Sequence, residues 1–185
     1  MMQDVLKRTK ENMEKAIALL QHNISKLRTG RASLTVLDDI RVDYYGTLTP
    51  LNQIATLATP EPRMITVQPW ESNLIPAIEK AIDKANIGLN PNNDGKIIRL
   101  PIPQLTEDRR KDIVKQLKGF GEDSRVAARH VRRDSNEELK KLQKESKITE
   151  DELKKAEKDV QKFTDDTITK IDSIVSTKEQ DIMKV

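Results

Sequence analysis

All eight prolines of the 185-residue chain lie between Pro50 and Pro103, and the stretches on either side contain none. Proline removes a backbone donor and clashes with the preceding turn, so a long helix needs proline-free sequence and cannot tolerate the proline-dense middle. The single tryptophan, Trp70, lies in that middle, with Tyr44 and Tyr45 just ahead of it; aromatic and β-branched residues favour strands. The expected fold is therefore α+β. Residues 1–30 plus 105–185 form an elongated antiparallel three-helix bundle, and a small β/α domain, residues 31–104, is inserted between its first two helices.

The flanks carry the periodicity that a bundle requires. Leu6, Met13, Ile17, Leu20, Ile24 and Leu27 recur at steps of three, four and seven, which places them on one helix face; Gly30 then ends the pattern as a C-terminal glycine does. After the insert, Thr106 with Glu107 and Asp108 reads as an N-cap followed by acids in a first turn. The buried stripe of that helix is expected to include Ile113, Leu117, Phe120, Ala128, Val131 and Leu142, with Gly119 and Gly121 as candidate bends costing about 1 kcal/mol each. About 38 residues from 107 to 144 would span on the order of 57 Å. A third helix opens at Thr149 with Glu152 as a capping box, and Leu153, Ala156, Val160, Phe163, Ile171 and Ile174 continue its seam. Each stripe needs two neighbours to bury it, hence three helices. A generic coiled-coil adaptor would show the same pattern.

Within the insert, Ile40, Val42 and Tyr44 alternate up to Gly46, Ile54–Ala58 and Met64–Gln68 read as further strands, and Lys96–Leu100 as the last. Ala77, Ile78, Ala81, Ile82 and Ala85 mark a short helix, and Asn93-Asp94-Gly95 a turn. Trp70 is expected to anchor this domain's core. The two connections, near Gly30-Arg31 and Pro101-Ile102-Pro103-Gln104, form a double tether. Glycine supplies rotational freedom on one side and Pro101 and Pro103 stiffen the other, so the pair is expected to act as a hinge.

Composition narrows the function. Aromatics are 3% and charged residues 34% of the chain, which suits long helices with narrow apolar stripes better than a large globular core. There is no cysteine, so disulfides, a thiol nucleophile and thiolate metal sites are excluded and a reducing compartment fits. No signal-peptide core or membrane-length apolar run is present, and a soluble cytoplasmic protein is expected. His22 and His130 are the only histidines and fall on different helices, which argues against a metal site or catalytic triad. Carboxylate neighbours such as Asp38-Asp39, Glu137-Glu138 and Asp165-Asp166 sit among basic residues and read as solvated charges. No phosphate-cradling glycine loop occurs. The expectation is a protein with no enzymatic activity, cofactor or metal.

A net charge of +3 says little by itself. Its distribution says more: from Arg109 to Arg133 nine basic residues face three acidic ones. On a helical wheel Arg125, Arg129, Arg132 and Arg133 fall within an arc of about 100°, with Lys118 inside it. The expected apolar seam through Val131 and Phe120 is centred more than a quarter-turn away. A solvated face with ordinary salt bridges to Glu122, Asp123 or Glu137 is the plain alternative. Arginine forks suit phosphate oxygens, and the stripe holds no aromatic on which bases could stack, so backbone and shape recognition of RNA is the expected mode. A helical RNA-binding chaperone and a protein-binding adaptor fit the same features less specifically.

Several segments resemble one family in order and over nearly the whole chain: Lys26-Leu-Arg-Thr-Gly-Arg-Ala-Ser33, Val42-Asp-Tyr-Tyr-Gly46, Thr49-Pro-Leu-Asn-Gln-Ile-Ala55, Asn93-Asp-Gly-Lys-Ile-Ile-Arg-Leu-Pro101, Leu105-Thr-Glu-Asp-Arg-Arg-Lys111 and Val131-Arg-Arg-Asp134. Together they are similar to the motifs of bacterial ribosome recycling factors. Leu34 stands where many members have proline, and His130 where many have asparagine. The resemblance implies an L-shaped, transfer-RNA-like outline and a monomer that binds the post-termination ribosome. With elongation factor G and GTP it would promote dissociation into subunits. It further implies contact with large-subunit ribosomal RNA through Arg110, Arg129 and Arg132, alongside the stripe residues Lys118, Arg125 and Arg133, and a hinge or ribosome contact at Arg28, Gly30, Arg31, Pro101 and Pro103.

Overall fold

Long apolar stripes on proline-free sequence give three helices, α1 (Met2–Ser25), α3 (Glu107–Lys144) and α4 (Glu150–Met183), in a computed structural model that describes residues 1–184. The chain divides into two compact units, Met1–Leu27 with the chain from Glu107 on, and Arg28–Thr106. The first unit is the three-helix bundle. Of the expected α1 stripe, Leu6, Met13, Leu20 and Ile24 are buried, while Ile17 and Leu27 are half-buried. The helix ends five residues before Gly30: Lys26 and Leu27 donate to the carbonyls of Asn23 and Ile24, tightening the last turn, so Gly30 is not its cap.

The expected α3 stripe is displaced by about 30° from the one that forms. The buried line runs through Ile113, Leu117, Gly121, Ser124, Ala128, Ser135 and Leu139, leaving Phe120, Val131 and Leu142 half-buried at its edge. Three of those seven are glycine or serine, and a search for apolar residues passes over them. Their burial is chemically satisfied or sterically required. The Ser135 hydroxyl donates to the Val131 carbonyl and meets the Thr9 hydroxyl of α1 at 2.6 Å, and Ser124 Oγ donates to the Ala16 carbonyl at 3.3 Å. Gly121 makes room for α4: a Cβ there would lie 2.8 Å from Val175 Cγ2, whereas a Cβ on Gly119 would meet nothing. Despite both glycines, α3 is one continuous 38-residue helix.

The α3–α4 connection is short and closed by backbone bonds. Lys147 N donates to the Leu142 carbonyl and Ser146 N to that of Gln143, with Ser146 at φ +55°, the left-handed C-terminal motif usually built with glycine. The α4 capping box is present: Glu152 N donates to Thr149 Oγ1 at 3.2 Å, and Thr149 N to Glu152 Oε2 at 2.7 Å.

The inserted unit contains β1 (Arg41–Tyr44), β2 (Thr47–Pro50), β3 (Ala55–Glu61), β4 (Met64–Pro69), α2 (Ile75–Ala85), β5 (Asn92–Asn93) and β6 (Ile98–Pro101). The first two strands form an antiparallel hairpin; the other four form an antiparallel sheet ordered β3-β4-β6-β5. The hairpin turns at Tyr45 and Gly46, both at positive φ, as a two-residue loop of primed type demands. The face α2 buries carries Ile75, Ile78 and Ile82 rather than the alanines, against Val42, Leu51, Ile65, Val67, Ile98 and Leu100. Trp70 is not in this core. It is 66% exposed, and its indole Nε1 donates to Thr56 Oγ1 at 3.1 Å; the fully buried side chains of this core are aliphatic.

The close approach at Gly121 has a measurable consequence. Gly119→Ala should raise bundle stability by up to about 1 kcal/mol, the helix-propensity gain. In Gly121→Ala that gain is opposed by overpacking of roughly 1–3 kcal/mol, because the β-branched Val175 has little freedom to yield. Denaturant unfolding of both variants and of Gly121→Ala with Val175→Ala checks this: the double variant should recover part of the loss. Equal stabilisation by both single alanines would show that the α3–α4 contact imposes no constraint.

Candidate nucleic-acid interface

Because the buried line of α3 lies closer to the arginines than expected, those residues flank the contact with α4 instead of standing clear of it. Arg125 shows this most. Its side chain is only 26% exposed; one Nη lies 2.7 Å from Asp172 of α4 and the other 3.1 Å from Glu122. Arg129 lies 2.6 Å from the other oxygen of Glu122, and Lys118 3.0 Å from Glu179 of α4. The arc is thus not poor in acids. Glu122 falls on the arc itself, and a wheel of α3 alone cannot show the carboxylates that α4 supplies. Arg129, then Arg125, hydrogen-bond the Glu122 carboxylate and hold its pKa below the usual value. Asp172 in turn raises that of Arg125.

Further along α3 the arrangement changes. Arg132 Nη1 donates to the neutral Gln161 Oε1 of α4 at 3.5 Å, a weak bond, and among the described residues no carboxylate pairs with Arg132 or Arg133. Gln161 itself donates to Asp165 Oδ1 at 2.8 Å. The basic ridge therefore has two parts. Lys118, Arg125 and Arg129 are tied to acids; Arg132 and Arg133 have no carboxylate partner among the described residues. Arginine presents five donors in a planar fork, of which a phosphate takes two in parallel. The missed acceptors had a sequence signal: Gln161, Asp172 and Glu179 are spaced by eleven and seven residues, which puts them on one face of α4.

The remaining expected site residues do not join this ridge. Arg110 is half-buried near the start of α3, on the line of the seam, with a buried Nε that has no hydrogen-bond partner. Arg28 donates from Nη1 to the Ile87 carbonyl at 3.1 Å, holding the loop after α2, whereas Arg31 is exposed. Gly30 has φ +77°, and an added Cβ would lie 3.0 Å from the Leu105 side chain, so both backbone conformation and close contact favour glycine here. Pro101 pairs with Met64 at the end of β6; Ile102 N donates to the Arg63 carbonyl at 2.8 Å, and Pro103 is exposed. His22 and His130 are exposed on α1 and α3, and no group of acidic or histidine residues among the described residues could hold a metal ion. No described helix is long and apolar enough to cross a membrane.

The family model described as "Ribosome recycling factor" matches residues 20–183, a span that takes in the whole inserted unit, α3 and α4. The chain belongs to the ribosome recycling factor family. A ribosome-recycling factor of Pelobacter propionicus is 57% identical over 181 residues, covering 98% of both chains. One of Nitratidesulfovibrio vulgaris is 53% identical over 100% of this chain and 99% of its own. Among solved structures, the solution structure of a ribosome recycling factor superimposes with a TM-score of 0.78 at 40% identity, covering 100% of this chain and 98% of that one. A second, at TM-score 0.64, 45% identity and 99% coverage of each chain, comes from models of the T. thermophilus ribosome recycling factor and the E. coli elongation factor G bound to the E. coli post-termination complex.

The split ridge separates two roles that substitution can distinguish. Arg132→Ala and Arg133→Ala should leave the melting temperature unchanged and weaken binding to large ribosomal subunits, each lowering the slope of log affinity against log salt by roughly one unit. Arg125→Ala should lower stability by about 1 kcal/mol, since it removes a partly buried pair. Circular dichroism melts and a salt series of ribosome co-sedimentation check both; unchanged binding by a folded Arg132→Ala would reduce the ridge to a solvated face.

Proposed function

We propose that this protein recycles ribosomes: it binds the post-termination ribosome and, with elongation factor G and GTP, promotes dissociation into subunits, freeing the messenger RNA for a new round of translation. The observation that carries this reading is the full-length likeness to ribosome recycling factors, together with a solved relative described on a post-termination complex with elongation factor G. The bundle is assigned to large-subunit ribosomal RNA, through Arg132 and Arg133 first and through Arg129, Arg125 and Lys118 by exchange of their carboxylate partners for phosphates. Such exchange is inexpensive for the exposed pairs of Arg129 and Lys118, worth only about 0–1 kcal/mol, and costs more for the partly buried Arg125. Arg110 is a further contact on the same reading, and the cytoplasm is where the work is done.

The protein is a translation factor without enzymatic activity of its own. The GTP chemistry belongs to elongation factor G, in keeping with the lack of a G-x-x-x-x-G-K-[ST] loop in this sequence. Light scattering from purified post-termination ribosomes provides the test. Splitting should require this chain, elongation factor G and GTP together. Equal splitting without the chain, or GTP turnover by the chain alone, would contradict the proposal.

A further inference from the structure

The most exposed aromatic surface lies on the inserted unit, away from the basic ridge in sequence and opposite to it in charge. The positive φ of Tyr45 and Gly46 places Tyr45 at the hairpin tip, where it is 75% exposed. Its ring meets that of Tyr44 edge to face, with centroids 4.7 Å apart. Both phenols converge on one carboxylate: Tyr44 donates to Glu71 Oε1 at 2.9 Å and Tyr45 to Glu71 Oε2 at 3.1 Å. Trp70 stands beside Glu71, exposed but not loose, because its indole is tethered to Thr56 and its backbone N–H to the Ile54 carbonyl. Tyr44, Thr49, Gln53, Trp70 and Glu71 line one surface hollow.

We propose that this hollow receives an arginine side chain from a basic protein partner. Glu71 has no cationic partner among the described residues, and each of its oxygens, having accepted one phenol, keeps a lone pair. Those two sites match the two parallel donors of a guanidinium. The aromatic walls add attraction for a cation and cover for the aliphatic stem. The Tyr44 phenol is held above its usual pKa, chiefly by its hydrogen bond to Glu71, in keeping with a carboxylate seated against the ring. The Glu71 carboxylate between the two phenols would repel a phosphate backbone. Tyrosine and tryptophan held rigid around one charge are also what protein-binding hot spots are made of.

The only tryptophan of the chain lies in the hollow, so its fluorescence and indole N–H resonance report occupancy without interference. Titrating the full-length protein with acetyl-Ala-Arg-Ala-amide should give a saturable shift of the Trp70 indole and of the Thr49 and Gln53 amides. The neutral citrulline counterpart should bind about tenfold more weakly, as should the arginine peptide to Glu71→Gln, a variant that keeps the shape and the tyrosine contacts. Trp70→Leu, read through the Thr49 and Gln53 amides, should lose most of the binding while its circular dichroism is unchanged. Equal binding of the citrulline peptide, tighter binding of a short oligouridylate at the same resonances, or no saturable shift would overturn the proposal.

A benzoylphenylalanine at Thr49, in complexes already shown by co-sedimentation to contain the ribosome, addresses the partner. This arm rests on the ribosome-binding reading and the peptide arm does not, so failure of one is distinguishable from failure of the other. Cross-linking to a basic protein is the expected result; cross-linking to RNA alone, or to nothing, would overturn it.

Discussion

The packing of α3 against both of its neighbours is the constraint on which the bundle depends. One 38-residue helix must bury a face running from Ile113 to Leu139 against α1 and α4, and the placement of its charged residues follows from that face. With aromatics scarce, the face is filled by Leu117, Ala128 and Leu139 and completed by Gly121, Ser124 and Ser135. Small residues let α4 approach closely, and the hydroxyls of Ser124 and Ser135 find acceptors across or along the helices, so these two serines lie in the seam with their hydroxyls satisfied. The charged residues of α3 are left with the arc on either side. Their proximity to α4 carboxylates follows from the seam's position.

That dependence explains what the sequence could and could not disclose. Proline placement separated the inserted segment from the helices, and the periodicity located the bundle's elements; Thr149 and Glu152 marked the start of α4 because a cap is a local interaction between four residues. The seam of α3 was misplaced because hydrophobicity ignores Gly121 and Ser124, whose roles exist only once α4 and α1 are beside them. Trp70 was misassigned for a related reason. Size and apolarity suggested a core anchor, but the space between α2 and the sheet admits isoleucine and valine, and the ring stays outside, tethered to Thr56. The strands β2 and β5 were missed, the first a short Thr-Leu-Thr-Pro run and the second two residues long.

The candidate site was legible as a list of basic residues and not as an arrangement. Sequence gathered Lys118, Arg125, Arg129, Arg132 and Arg133 on one arc, and the structure distinguishes them by what they touch. Arg125 contributes to holding α3 and α4 together through Asp172; Arg132 and Arg133 have nothing comparable to hold. A cation already paired with an exposed carboxylate can exchange it for a phosphate at little net cost, but an unpaired one gains the interaction outright. The expected contribution to RNA affinity therefore grows along α3 from Lys118 to Arg133. The negative, aromatic hollow at Glu71 on the other unit is suited to a different class of partner, which would allow one chain to engage RNA and protein at once.

The absence of native cysteine makes the central claim directly accessible. A hydroxyl-radical source attached to a single cysteine introduced at Arg133, on protein bound to ribosomes, should cut large-subunit ribosomal RNA within reach of the ridge. The same source on a cysteine at Lys158, exposed on α4, should give weaker or different cuts. If the two positions produce the same pattern, or position 133 cuts no ribosomal RNA, the C-terminal arginines of α3 do not face RNA and this account of the protein is wrong.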